Sequence, residues 1–461
     1  MSAIISSFFR YENAANFIAD VSNSLNGIYL FISKTDPWSS SLAVTADSIP
    51  PVPIDSQVDR NDAWAGMIGL QIVSSANVSY VTPRYTWTSG TVYTAWDDAD
   101  PSIFSKSFYV LTSANNVFKC LVAGPGASTT MPATTSSADP FTLGDGYTWK
   151  YMYTLDTNQV ASFLTSDFMP VNTLAMPLDW VGSLGSWIAS LSASDQTKYA
   201  YQQSCQSLTK GTINRYVVTN GGSGYSTAPA ATVYGNGSAA TATTTISGGA
   251  VTAVLANNVG ANYNAAYVVI APPSSGTQAT ARPVLSTLNG HGTDPIRELG
   301  GYYLEIAEQF QYAAGGGDLI VNNSFRRLGL IKNPCEFGTT TVALETNRSA
   351  LKCLTLTSLS GTFTNADYIT GGTSGAQAFI DYVNTTAGTL KYHQNDKTGY
   401  VSFSVGETVS GHTGGSATIA SGGLSNPDVQ PYSGQILFLD NLTPITRSST
   451  QIENVNLILE F

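Results

Sequence analysis

Charge is what this chain has least of. Only 11% of its 461 residues are Asp, Glu, Lys or Arg, against roughly 25% in an average globular protein. Twenty Lys and Arg stand against 31 Asp and Glu, for a formal net charge of −11, and the basic residues form no cluster. Nucleic acid needs a basic face, and so does an anionic membrane surface, so neither is expected as a partner. There are three histidines and four cysteines. His291, His393 and His412 fall at no metal-ligand spacing. Cys120, Cys205, Cys335 and Cys353 make no Cys-x-x-Cys pair. A zinc module is therefore not expected, and four reduced, buried thiols are, because a chain this long can stand on its core without staples. No apolar run reaches the roughly 18 residues of a membrane helix. Met1–Arg10 lack the basic-then-apolar order of a signal peptide, so the chain reads as soluble and made in a cytoplasm. Gly-x-Ser-x-Gly is missing. Gly221-Gly222-Ser223-Gly224 has neither the Lys-Ser/Thr nor the following helix of a phosphate loop. Both absences argue against nucleophile-elbow and P-loop chemistry.

What is present is apolar and hydroxyl-rich: 43% hydrophobic, with 42 Gly and 24 Tyr. That excludes a disordered chain, which needs low hydrophobicity and high charge together. Ile4, Ile5, Phe8, Ala15, Ile18 and Val21 recur at mostly three-to-four-residue spacing, predicting a helix within 1–26 that Asn26-Gly27 stops and that packs on its own domain. From Gly27 onward the pattern is β, with short runs at 28–32, 68–73, 78–81, 108–111, 117–122 and 147–155 bounded by turn residues. Stretch 42–62 reads as a Pro- and Asp-rich connector and 123–142 as a loop. Short helices are expected around Val160–Leu164 and Trp187–Tyr199, and a flexible loop at Ala313–Gly317. Alternating Val455, Leu457, Leu459 and Phe461 predict a final strand pinned in a sheet.

Two internal repeats set the architecture. Ile213…Gly222-Ser-Gly-Tyr225…Gly237 realigns with Val251…Gly260-Ala-Asn-Tyr263…Gly276 at an offset of about 38 residues. Phe363…Ile369-Thr-Gly371…Gly375 realigns with Phe403…Val409-Ser-Gly411…Gly415 at about 40. Two copies of a small β unit can bury one shared core. The fold expected is mainly β: a two-layer, sandwich-like body with a few short helices and two small inserted β-repeat modules. The body takes residues 1–209, 289–349 and 426–461, and the modules take 210–288 and 350–425.

No catalytic constellation stands out. Asp97-Asp98-Ala99-Asp100 could offer oxygens to Ca²⁺ but lacks the glycine and distal glutamate of a calcium loop, and reads as a solvated turn. Asp145 in Gly144-Asp145-Gly146 reads as a turn hydrogen-bonder. His412, replaced by Gly372 in the sister repeat, reads as a solvated loop residue. Asp59, Asp62, Glu298 and Glu305 are carboxylates with nothing to single them out, since a glycosidase pair need not be close in sequence. Trp38, Trp64, Trp87 and Trp96 are candidate interface residues, with burial in the core the stronger expectation. No catalytic, cofactor or metal residue is assigned.

Several stretches resemble a known family. Ile28-Tyr-Leu-Phe-Ile-Ser-Lys-Thr-Asp36-Pro37-Trp38-Ser-Ser40 is similar to the first strand and turn of the gene-eight class of baseplate wedge subunits from large contractile-tailed phages. In the same order, the helix Ile4–Val21 with Phe9-Arg10 and the turn and aromatic strand Gly144-Asp145-Gly146-Tyr147-Thr-Trp149 agree. So does the end from Ser433-Gly434 through Pro444-Ile445 to Asn454–Phe461. His291-Gly…Asp294…Glu298-Leu-Gly-Gly301 and Asn323–Arg327 resemble longer relatives in cyanobacterial and marine phages. The resemblance leaves out both repeats. It implies a virion structural protein of the tail baseplate, without catalysis or cofactor. It also implies a homodimer touching other wedge proteins, assembled in the bacterial cytoplasm. Against it stands a tail fibre or spike adhesin binding or cleaving host glycans. Symmetry separates the two, because spikes are intertwined trimers. A secreted hydrolase, the third reading, lacks both a signal peptide and a nucleophile motif.

Overall fold

The computed structural model describes residues 4–38, 47–177, 180–310, 319–448 and 452–461. The loop expected at Ala313–Gly317 lies outside them. Strands take 39% of the residues and helices 15%, so the mainly-β expectation is borne out. The chain forms two compact units, one of Met1–Ala14, Ser79–Glu305 and Ile458–Phe461, the other of Ala15–Val78 and Ile306–Leu457.

In the first unit an antiparallel sheet runs Tyr109–Leu111, Asn116–Val122, Thr148–Thr154, Phe141–Thr142 in spatial order. It is buried on both faces. Tyr109, Leu111, Val117, Leu121 and Met152 enter one apolar cluster. Val110, Phe118, Cys120, Trp149 and Tyr151 enter the other. This period-two division of a nearly unbroken apolar sequence is what a strand between two cores requires.

The first repeat, Ile213–Leu285, closes on itself by exchange between its copies. Ile213 N donates to Val259 O (2.8 Å), and in the sister position Val251 N donates to Gly221 O (2.8 Å). The buried Tyr225 hydroxyl accepts from Ala279 N at 2.9 Å, and the buried Tyr263 hydroxyl accepts from Ala240 N at 3.4 Å. Each copy thus completes the other.

In the second unit the central sheet runs Asn347–Ser349, Met67–Ile72, Ile28–Ser33, Asn323–Lys332, Gln435–Arg447. Ile28–Ser33 is buried at every position, which explains its lack of alternation. Phe31 faces Gly329 in the register, and a Cβ at Gly329 would lie 2.4 Å from the Phe31 ring. The helix Gln57–Ala65 packs Ala63 and Trp64 onto Tyr29, Phe31 and Leu70.

The second repeat forms a closed barrel of Lys352–Ser360, Thr389–His393, Gln377–Asn384, Tyr368–Gly371, Thr408–Gly411 and Ser416–Ser425. Its interior holds Leu354, Phe363, Ile380, Leu390, Phe403 and Ile419. Thr370 pairs with Ser410, flanked by Ile369 with Gly411 and Gly371 with Val409. That register is its own mirror about the Thr370–Ser410 pair, so a pseudo-two-fold axis passes there.

Several expectations are corrected. The first helix is Ser7–Ser22, and it buries Tyr11 and Ala14 rather than the predicted stripe; Ile4 is 88% and Phe8 59% exposed. The expected helix Trp187–Tyr199 is two helices, Leu184–Ser190 and Ala193–Gln206, because Ser192 turns extended and caps the second through Asp195 N. Two helices were not expected. Gln57–Ala65 lies partly in what reads as a connector, and Pro295–Leu299 begins with proline after the cap Asp294. Trp38, Trp64 and Trp96 are buried in the core, as the stronger expectation had it, and Trp87 is half-buried. No disulfide forms; Cys120 and Cys205 are buried, whereas Cys335 and Cys353 are only half-buried.

Candidate functional site

Buried charged residues of the chain form several tethers. The most buried lies in the first unit, where Lys119 and Lys150 face each other across adjacent strands. Like charges opposite one another destabilise a sheet, so each lysine needs its own partner. Lys119 Nζ donates to Glu298 Oε2 (3.0 Å), contacts His291 Nδ1 (3.1 Å) and lies 3.9 Å from the centre of the Trp96 ring. Lys150 donates to the carbonyl of Ala138 and lies 3.2 Å from Cys205 Sγ. The other carboxylate oxygen of Glu298 accepts from Gly292 N (2.7 Å), Thr293 N (3.0 Å) and Asp294 N (3.2 Å).

Burial alone would push Glu298 up, but the charge of Lys119 and the hydrogen bond of His291 outweigh it and hold the carboxyl down at about 2. Burial, then the charge of Lys119, push His291 down to about 4, so it stays neutral. Burial also lowers Lys119, an effect that Glu298 opposes. The imidazole is enclosed on both sides, with Lys119 Nζ at Nδ1 and Asn214 Nδ2 at Nε2 (2.6 Å). The network is a closed ion pair with a neutral imidazole beside it.

A second tether binds the first repeat to its own unit. Arg282 donates to both oxygens of Asp97, and Arg215 reaches Asp97 Oδ2 at 3.3 Å and Trp96 O at 3.0 Å. Asp98 accepts from Leu285 N (3.2 Å), while Trp96 Nε1 donates to Leu285 O (3.1 Å). Asp97 is thus no solvated turn residue. Asp98 and Ala99 are the exposed turn residues of the cluster, and Asp100 pairs with Lys106 (2.6 Å).

Asp145 does what its turn suggested, and more. It accepts from Thr129 N (2.9 Å), Thr130 N (3.1 Å), Ser128 Oγ (3.0 Å) and Tyr147 N (3.3 Å). The loop 123–142 is thereby pinned to the turn. Gly146 sits at φ +85°, where a Cβ would meet the ring of Pro125, and Gly144 lies in open space. Tyr147 stacks on Trp149 with centroids 5.8 Å apart.

In the second unit the motif around Asp36, Pro37 and Trp38 joins sheet to barrel. Thr35 Oγ1 donates to Asp381 Oδ1 (2.6 Å), and Asp381 also holds His393 Nδ1 at 2.9 Å. Asp36 pairs with Lys34 (3.0 Å) and Lys397 (3.5 Å). Trp38 lies beneath Lys34 and Arg327 at 5.1 and 5.4 Å and donates to Leu442 O. Burial alone would lower His393, but Asp381 outweighs it and raises it above the ordinary histidine value. A groove of about 940 Å³ opens beside Asp36 and Trp38.

The remaining expected residues are scattered. Asp62 pairs with Arg327 (2.9 Å), Asp59 accepts from Ile54 N, and His412 is exposed. Glu305 is fully buried with no hydrogen-bond partner among the described residues, and burial raises it to about 7. Among the described residues no group of three His, Cys, Asp or Glu is placed to hold a metal ion. Sequence reasoning did not single out Lys119, Lys150, Asp381 or Arg282. The available signal was a lysine inside an apolar strand, as in Val117-Phe118-Lys119-Cys120-Leu121.

These features define a mainly β protein whose buried charges are spent on internal joints. The comparisons agree. Residues 3–100 match the family model described as Bacteriophage T4, Gp8. Over 207 residues the chain is 25% identical to the baseplate wedge protein gp8 of Enterobacteria phage T4, covering 37% of this chain and 60% of that protein. The chain therefore spans about 60% of the length of the curated relative it matches. The resemblance to the gene-eight class of baseplate wedge proteins is borne out. The family match takes in the helix Ser7–Ser22, the central strand and the Asp36–Trp38 motif.

Proposed function

We propose that this protein is a structural subunit of a phage tail baseplate wedge. In this reading it assembles as a homodimer with other wedge proteins in the host cytoplasm and remains in the virion, without a catalytic role. The observation that carries it is the family match over residues 3–100, which includes the Asp36–Trp38 joint between sheet and barrel. The residues of gene-eight likeness thus serve as joints and not as a reaction centre. Asp36, Pro37 and Trp38 have that role in the second unit, and Gly144, Asp145, Gly146, Tyr147 and Trp149 have it in the first. The two repeats are proposed as modules inserted into this frame, at 210–288 and 350–425.

The test is direct. Purified tails are dissociated and their baseplates analysed by mass spectrometry, and the isolated chain is weighed by light scattering after size exclusion. The chain in baseplates and a mass of two copies are expected. A heat-stable trimer found in fibres would replace this reading with the adhesin.

A further inference from the structure

The strand Gln435–Arg447 borders its sheet. It pairs with Asn323–Lys332 on one side, and among the described residues no strand pairs with the other. Exposed edges are ordinarily blunted by charge, proline or a covering segment, because their unpaired N–H and C=O groups recruit other strands. The second half of this edge is managed so. Trp38 Nε1 donates to Leu442 O (2.8 Å), Asn441 Nδ2 donates to Pro51 O (2.9 Å), and Pro444 follows. The first half is not. Gln435-Ile436-Leu437-Phe438-Leu439 carries no charge, and Leu437 is 45% exposed.

Beside this bare half runs a cavity of about 460 Å³, and one of about 940 Å³ adjoins it through the shared lining residues Asn61 and Tyr432. The smaller lies between the helix Gln57–Ala65 and Gln435–Leu437, and the larger continues to Asp396 and Tyr400. Trp64, Tyr432 and Tyr400 give the groove its rings. Its charge is unbalanced. The lining sets four carboxylates, Asp36, Asp59, Asp62 and Asp396, against three cations, Lys34, Arg60 and Lys397. Lys34 and Lys397 lie against Asp36, Arg60 against Asp55, and Asp62 against Arg327. Asp59 and Asp396 have no cationic partner among the described residues; they accept only from Ile54 N and the Tyr400 hydroxyl.

We propose that this edge and groove receive an extended, basic segment of a neighbouring virion protein. Its backbone adds as a strand along Gln435–Asp440, its apolar side chains lie against Tyr432 and Tyr400, and a Lys or Arg reaches Asp59 and Asp396. Strand addition supplies main-chain hydrogen bonds, and the groove supplies the choice of side chain. A second copy of this chain fits less well. Its own edge, Gln435–Leu439, offers no Lys or Arg to meet Asp59 and Asp396. The identity of the neighbour as a virion protein rests on the baseplate reading.

Carbodiimide coupling of glycinamide to carboxylates, applied to the isolated full-length protein and to intact virions, tests this by mass spectrometry at Asp59 and Asp396. Labelling is expected to fall about tenfold in virions, as for groups sealed in an interface core, and the 435–440 amides are expected to exchange more slowly there. Equal labelling in virions that contain the chain overturns the groove proposal and leaves the baseplate reading intact. Absence of the chain from virions overturns the baseplate reading instead. Protection in the isolated protein that disappears on dilution assigns the edge to a second copy, and also overturns the proposal. The exposed substitution Asp396→Lys is expected to leave the fold unchanged while reducing incorporation into baseplates; undiminished incorporation counts against the proposal.

Discussion

Asp367 accepts from the backbone N–H and the hydroxyl of Thr413, at 2.8 and 2.7 Å. About 40 residues further along, Glu407 accepts from Thr373 N and Ser374 N, at 3.0 and 2.8 Å. The carboxylate of each copy thus holds the turn of the other, across the axis at Thr370 and Ser410. Neither copy can satisfy its own turn, which is why the repeat occurs as a pair. Truncating either carboxylate strands two or more donors, at a cost of about 2 kcal/mol. Asp367→Ala is therefore expected to loosen the turn at 413, and Glu407→Ala the turn at 373–374. Hydrogen exchange of the amides at 373–374 and 413, read on both variants, checks this. A loss confined to the mutated carboxylate's own copy would contradict the exchange.

The same comparison shows what a sequence can and cannot disclose. The spacing of Phe363 and Phe403, or of Tyr225 and Tyr263, is linear information and reveals duplication directly. Which copy a carboxylate serves is not, because Asp367 and Thr413 meet only after the barrel closes. The helix Gln57–Ala65 was hidden by Pro50, Pro51 and Pro53 just ahead of it, although its cap Ser56 and its buried face, Ala63-Trp64, were present. The Lys119–His291–Glu298 network joins three distant segments. Periodicity could show only that Lys119 and Lys150 interrupt apolar strands, not what compensates them. The Asp36–Trp38 motif was found by family likeness alone, and its chemistry emerges only where Asp381 and Lys397 arrive from the barrel.

Asp97 clamps both root strands of the first repeat through Arg215 and Arg282. The pair geometry is partly buried, so solvent screens it less than an exposed bridge. Asp97→Ala removes the shared acceptor and leaves two guanidinium groups facing each other. A loss of about 1–2 kcal/mol is expected, with faster hydrogen exchange at residues 213–220 and 280–285. Asp97→Asn should restore little, because an amide cannot receive two guanidinium groups as a carboxylate does. Unchanged exchange in those strands would show that the apolar contacts of Val284 and Val217 hold the module without the clamp.

Asp145 is the acceptor for three backbone amides and one hydroxyl. Asp145→Ala frees Thr129 and Thr130 and is expected to open the loop 123–142 to proteases while the sheet beneath, held by Tyr147 and Trp149, stays folded. Limited proteolysis followed by mass spectrometry reads the new cleavage sites. Cleavage elsewhere, or none, would remove the pinning role. Gly146→Ala should act in the same direction, since φ +85° is strained for any side chain and Pro125 leaves no room for a Cβ.

The two buried histidines give the two units opposite responses to pH. His291 is held near 4, below its unfolded value of about 6.5. The unfolded chain therefore binds the extra proton between those values, and its stabilisation is present above about 6.5 and lost as pH falls toward 4. His393 is raised, so its pairing with Asp381 is fully present below about 6.5 and is lost as pH rises through its folded value. Acid should thus loosen the first unit at Lys119 and Glu298, and mild alkali should loosen the second at Thr35 and Asp381. Hydrogen exchange at pH 5, 7 and 9 on the intact protein separates the two, with faster opening expected near 291–298 at low pH and near 379–393 at high pH. His393→Gln should abolish the alkaline response at the cost of leaving Asp381 buried without its cation, a penalty of about 3 kcal/mol. His291→Gln should weaken the acid response between 4 and 6.5 while sparing the alkaline one. If both variants kept both responses, the titrating groups would have to lie elsewhere, with Glu305 the next to be replaced.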